Sequence, residues 1–182
     1  MKIDSQQALN LLKAGNSRFV SGALTPKDNY AELREKLSVG QHPFAVVLCC
    51  SDSRVAPEII FDQKLGDLFV IRNAGNVVDD DVLGSIEYAV EHLGTPLVVV
   101  LGHSCCGAIT ATCQEEDLPG HILDIAKRIR PAISTGCCID DNAKRHAKRM
   151  AQLIEEDDIV HHMGAQVTVA FYDIQSGKVE WL

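Results

Sequence analysis

Cys50, Asp52 and Arg54 follow one apolar run, and about fifty residues later His103-Ser104-Cys105-Cys106-Gly107 follows another. Two cysteines and a histidine are the ligand set of a catalytic rather than a structural zinc site. Three protein donors leave the fourth tetrahedral position to water, whereas structural zinc is usually closed by four. An Asp–Arg pair two and four residues past the first cysteine stands close enough to act on that water. A chain with these groups must bring two distant segments to one point, and the chemistry implied is that of a zinc hydrolase or hydratase.

The residues around the motifs describe a fold that can do this. Phe44 to Cys49 is almost wholly apolar, Leu68 to Ile71 and Leu97 to Leu101 repeat that character, and Val167 to Tyr172 follows it more loosely. Short continuous apolar runs suit central strands covered on both faces. Helical stretches lie between them, at Val82 to Leu93, Gly107 to Cys113, Gly120 to Ile133 and Asp140 to Glu156. In the last, Ala143, Ala147, Met150 and Ile154 share one face. Alternating strands and helices predict an α/β fold with a mostly parallel sheet flanked by helices. Ahead of the sheet, Asp4 and Gln7 form a capping box for a helix carrying Ala8, Leu11, Leu12 and Phe19, and Tyr30 to Leu37 reads as a second short helix. We find no repeat or linker, so residues 1–182 read as one domain with an N-terminal helical arm over about 1–40. Both halves of the site follow strands, and open parallel sheets build their sites beyond the carboxyl ends of strands.

Spacing narrows the ligands without settling them. His103 and Cys106 are three apart at a strand-to-helix turn and can face the same side, while Cys105 points elsewhere. Cys49 and Cys50 are neighbours at a strand end and point to opposite faces, so only one meets a metal easily. Either remains a candidate on spacing alone. Cys113, Cys137 and Cys138 read as packing residues or plain surface. His42, His121, His146, His161 and His162 read as surface histidines, and Lys144 to Arg149 as a solvated basic helix face.

Composition excludes several classes. A net charge of −8 argues against a nucleic-acid partner. Runs such as Pro96 to Leu101 are too short to cross a bilayer, and the first residues hold no apolar signal core. Seven cysteines, an odd number with adjacent pairs, suit a reducing compartment, and the cytoplasm is the expected location.

At these motifs the sequence strongly resembles the β-class carbonic anhydrases, whose signature is Cys-x-Asp-x-Arg followed by His-x-x-Cys. The likeness runs from about Gln41 to Ala111 and takes in Gly66-Asp67-Leu68-Phe69-Val70-Ile71-Arg72-Asn73-Ala74-Gly75-Asn76 and Gly84 to Val90; it is weaker at Asp140-Asn142-Ala143 and Tyr172 to Gly177. The resemblance implies one Zn2+ per chain on Cys50, His103 and Cys106, with Cys49 and Cys105 at variable positions. It makes Asp52 and Arg54 the catalytic dyad. Gln41, Phe69, Ala74, Tyr88 and the Gly107 N–H become the substrate-binding groups, Ala74 standing where many members carry Val or Ile. His92, four residues after Tyr88, matches a histidine proposed as a proton shuttle in some plant members. Val47 stands where some bacterial members have the tryptophan of a regulatory bicarbonate site, so that switch is expected to be absent.

The implied reaction is reversible hydration of CO2 to bicarbonate and a proton. Zinc-bound hydroxide attacks CO2, and Asp52, steadied by Arg54, orients it. Two alternatives use the same residues: a carbonyl sulfide or carbon disulfide hydrolase, and a closed structural or redox-sensing zinc with Cys49 or Cys105 as fourth ligand. The resemblance also implies a homodimer or homotetramer. In it the N-terminal helices wrap a neighbouring subunit, and Gln41 or Tyr88 completes the partner's site.

Overall fold

The computed structural model describes residues 3–114 and 117–182. Its frame is a five-stranded sheet of β1 (Ala45–Cys50), β2 (Leu68–Asn73), β3 (Leu97–His103), β4 (Gln166–Tyr172) and β5 (Val179–Trp181), in the order β2-β1-β3-β4-β5. All pairings are parallel except β4–β5, which is antiparallel. Every residue of β1 and of β3 is buried, as runs without polar alternation require of central strands.

Alternation along these strands divides the core in two. Val47, Cys49, Val99 and Leu101 face one side and pack with Ala8, Leu12, Ile60 and Phe61. Val46, Leu48, Val98 and Val100 face the other, against Val82, Ile86, Ala147, Met150 and Ile154. The first face is covered by α1 (Ser5–Ser21) and α3 (Pro57–Ile60). The second is covered by α4 (Asp80–Glu87) and α7 (Ile139–Glu155). The helices α5 (Gly107–Gln114) and α6 (Ile122–Ile129) pack beside the carboxyl end of the sheet, and α8 (Asp158–Met163) leads into β4.

α1 opens on the expected capping box, with Gln7 N–H donating to Asp4 Oδ1 at 2.7 Å and Asp4 N–H to Gln7 Oε1 at 3.0 Å. By sequence this helix need not cover its own core, and the structure shows that it does. Ala8, Leu9 and Leu12 are buried on this chain's own sheet. Asn16 ties the helix down by donating to the carbonyls of Ile60 and Gly177 and accepting from Val179 N–H. Gly15 lies so close to the Phe61 carbonyl that an added Cβ would stand 1.7 Å from its oxygen. By contrast α2 (Tyr30–Leu37) buries no residue.

Three further points differ from the sequence reading. The stretch 82–93 is α4 followed by a wider π-type turn over Tyr88–His92. The strand β5 and the helices α3 and α8 escaped it, being only three to six residues long. His146 is fully buried, whereas His42, His121, His161 and His162 are exposed as expected. Its neighbours Lys148 and Arg149 do face solvent, so α7 is amphipathic through its basic stretch. Among the described residues, no helix is long and apolar enough to cross a membrane.

Candidate active site

β1 ends on Cys50, β3 ends on His103, and Cys106 immediately precedes α5. Because β1 and β3 are parallel neighbours, their carboxyl ends meet, and the ligand atoms of Cys50, His103 and Cys106 lie within 4.8 Å of one another. All three residues are buried. Cys49 is buried on the opposite face, where burial pushes its thiol up to about 12 against the pull of Arg72. Cys105 is exposed. Neither belongs to the cluster, so neither stands where a fourth ligand would close it.

The donor set fits a soft divalent metal. His103 Nδ1 is 2.9 Å from the Ser104 carbonyl, which can only accept, so Nδ1 carries the proton and Nε2 presents its lone pair. That Nε2 is buried without a protein partner among the described residues, as a metal-directed nitrogen would be. The Cys50 sulfur accepts from the N–H groups of Gly75 at 3.3 Å and Asp52 at 3.4 Å. A hydrogen bond from Cys106, reinforced by the Gly75 and Asp52 N–H groups, holds Cys50 below the usual thiol range against burial. Cys106 is pushed up as donor in that same bond and by burial, although the Ala108 and Ile109 N–H groups favour its anion. A divalent cation favours both as thiolates. Two sulfurs, one imidazole and, among the described residues, no fourth protein ligand in the cluster make the pattern of an open catalytic zinc site.

Beside the cluster, Asp52 is held in the fork of Arg54. Its Oδ1 accepts from Arg54 Nε at 2.9 Å and from Arg54 N–H at 3.0 Å, and its Oδ2 from Nη2 at 2.7 Å. These bonds, the side-chain ones foremost, hold the carboxyl well below the usual carboxylate range. An ionised carboxylate offers about four lone-pair positions. Arg54 occupies three, leaving one on Oδ2. Arg72, which the sequence reading did not single out, braces the same turn by donating to the carbonyls of Cys50 at 3.1 Å and Asp52 at 2.8 Å.

Two more of the expected residues lie nearby. Ala74 and Gly107 line one apolar cavity of about 260 Å3 between α5 and α6. The others do not come to the cluster within this chain. Phe69 is in register with Val46, four residues back from Cys50, or about 13 Å at the usual strand rise. Its ring lies 6.3 Å from that of Tyr88, which lies 5.3 Å from His92. Gln41 precedes the amino end of β1 and lines a separate surface cavity with Leu37 and Leu68.

Sequence reasoning also missed supports around the ligands. Asp140 accepts the N–H of Cys105 at 2.9 Å and so holds a residue with φ of 54° in the ligand turn. Ser104 Oγ accepts from Ile174 N–H at 2.9 Å, anchoring the turn to the end of β4. The glycine of Asn73-Ala74-Gly75-Asn76, just past a strand, was the one local signal for the N–H over Cys50.

The chain matches the family model described as carbonic anhydrase over residues 45–179. It is 52% identical over 187 aligned residues to the carbonic anhydrase of Mycolicibacterium smegmatis, covering 95% of this chain and 91% of that one. It is 44% identical over 156 residues to carbonic anhydrase 2 of Mycobacterium tuberculosis, covering 81% of this chain and 75% of the relative. Among solved structures, the β-carbonic anhydrase CcaA superposes with a TM-score of 0.75 at 28% identity, over 97% of this chain and 93% of that one. The β-carbonic anhydrase CafA of Aspergillus fumigatus gives 0.75 at 27% identity, over 97% and 89%.

Proposed function

This chain belongs to the carbonic anhydrase family, in its β class, and on that premise we propose that it hydrates CO2 reversibly with a Zn2+ held by Cys50, His103 and Cys106. The observation that carries the reading is the meeting of these three ligand atoms within 4.8 Å beside a carboxylate with one lone pair free. When bound, zinc supplies a Lewis acid that lowers the pKa of water from about 16 toward roughly 7. Asp52, being ionised, can only accept. Its free Oδ2 lone pair takes the O–H of the attacking water and aims the oxygen's own lone pair at CO2. Arg54 keeps that carboxylate ionised, fixes its plane and keeps it off the metal. Gly107 is the first residue of α5, where N–H groups have no intrahelical acceptor, and its N–H suits the oxygen charge that develops as CO2 becomes bicarbonate. Ala74 leaves the apolar wall open for a small nonpolar substrate.

Gln41, Phe69, Tyr88 and His92 enter the reading through a second copy. They sit at the amino end of the sheet, Tyr88 is 46% exposed, and β2 is an edge strand with unpaired backbone groups. We assign them to the partner's site in a homodimer, or a homotetramer built from it. There Gln41 would bond a substrate oxygen, Phe69 and Tyr88 would wall the pocket, and His92 would carry protons to solvent. The exposed α2 is the part of the N-terminal arm free to cover a neighbour. All seven cysteines are unpaired, which suits a reducing cytoplasm.

Stopped-flow CO2 hydration, with metal analysis before and after chelation, tests the assignment. About one zinc per chain and activity lost with the zinc are expected. Faster turnover of carbonyl sulfide or carbon disulfide than of CO2 would overturn the substrate, and an active monomer in sedimentation would overturn the shared site.

A further inference from the structure

Positions 144–149 of α7 carry four Lys and Arg residues, yet His146 among them is fully buried. Its Nε2 lies 2.8 Å from the carbonyl oxygen of Gly75. A carbonyl only accepts, so Nε2 carries the proton and Nδ1 is a bare lone pair. That Nδ1 has no protein partner among the described residues. Burial, aided by nearby Arg149 and opposed by the Gly75 bond, holds the ring's pKa down at about 4, so the imidazole is neutral. A leucine would fill the same core position without burying two nitrogens.

What the histidine secures is Gly75. This residue has φ of 74° and ψ of 17°, in the left-handed region that favours glycine, and an added Cβ would meet Ile129 at 2.9 Å. On one side of its Cα the carbonyl is pinned by His146, and on the other the N–H points at the Cys50 sulfur, 3.3 Å away. Asn73 clasps the ends of the turn through the N–H and carbonyl of Val77, and the His146 bond is what holds the Gly75 carbonyl within it.

We propose that His146 is a positioning residue of the metal centre: through Gly75 it holds the N–H that bonds the Cys50 sulfur, and so sets how much charge that sulfur gives a bound divalent metal. An N–H···S bond draws electron density from a thiolate, and outer partners of this kind orient ligands and tune the metal. The inference rests on Cys50 being a zinc ligand.

Cobalt(II) in place of zinc makes the effect visible without turnover. In His146→Leu the sulfur-to-cobalt charge-transfer band should move to lower energy, because the sulfur loses a hydrogen bond. Zinc affinity, read by competition with a chelator, should fall about 10-fold or more. His146→Gln places an amide N–H near the position of Nε2 and should restore both. Band and affinity unchanged in folded His146→Leu would overturn the inference, as would folded His146→Gln behaving like the leucine variant. Should the leucine variant not fold, the wild type decides. Nitrogen NMR must show the Nε2–H tautomer, and the cadmium-113 protein must show coupling from the metal to the Gly75 amide. The Nδ1–H tautomer, or no such coupling, would overturn it. A wild type that binds neither zinc nor cobalt would overturn the metal site itself, an outcome distinct from a loaded wild type matched by His146→Leu.

Discussion

Replacing Asp52 with Asn separates orientation from metal binding. The side chain keeps its shape but exchanges one acceptor oxygen for a donor NH2. If the amide oxygen takes the Oδ1 position, it keeps the bonds from Arg54 Nε and N–H, at 2.9 and 3.0 Å in the native chain. The NH2 then stands at Oδ2, facing Arg54 Nη2, its former partner at 2.7 Å, donor against donor. It also offers a donor where the attacking water needs an acceptor. If the amide is flipped, two Arg54 bonds are lost instead of one. The flipped form keeps an oxygen lone pair at Oδ2, but it sets the NH2 against two Arg54 donors and is disfavoured, so the favoured orientation is the one that loses the acceptor for the water. Losing one such preorganised interaction costs about 10²-fold in kcat/KM, or about 2.7 kcal/mol. Because Asp52 lies outside the ligand cluster, zinc content should stay near that of the wild type. Stopped-flow CO2 hydration at saturating zinc, with metal analysis of the same samples, reads both quantities. A variant with full zinc and kcat/KM within about threefold of the wild type would refute the orienting role. Loss of zinc in parallel with activity would instead make Asp52 part of the metal's hold.

Cys50→Ala should lose zinc and activity together, while Cys49→Ala, on the opposite face, should keep both; the reverse result would overturn the ligand assignment. Asp62 has a fully buried side chain. Burial pushes its pKa up, but Arg18, the Thr25 N–H and hydroxyl, and Lys27 outweigh this and hold it below the usual range. Its contribution is therefore present above the unfolded carboxylate pKa, near 4, and is lost as pH falls. Asp62→Asn should cost about 2 kcal/mol in urea denaturation at pH 7, moderated by the partial exposure of Arg18. The gap from wild type should narrow below about pH 4; a gap that widens there would reverse the sign of the argument. Gly15→Ala places a methyl into the Phe61 carbonyl and should destabilise by about 1–3 kcal/mol, measured by its denaturation midpoint; an unchanged midpoint would mean that α1 shifts freely on the sheet.

Local pattern carried most of the framework. The apolar runs of β1 and β3 exposed two buried central strands, and a site beyond their carboxyl ends followed from parallel topology. The capping box of α1 and the stripe Ala143, Ala147, Met150 and Ile154 were equally readable, because both depend on contacts within one helix turn or on helical periodicity. β5 was not readable, since three residues hold too little periodicity, and it exists by pairing with Ala170 to Tyr172.

The sequence by itself determined which residues could hold a metal, that Cys49 and Cys50 face opposite ways, and that an Asp–Arg pair stands beside them. All of these are consequences of residue chemistry and of strand and helix periods. Only the tertiary structure decided that α1 covers its own sheet, that Gln41, Phe69 and Tyr88 lie at the far end of it, and that His146 turns inward to Gly75. Those outcomes depend on where each element docks. Docking is set by the packing of surfaces far apart in the chain, which no spacing between neighbouring residues encodes.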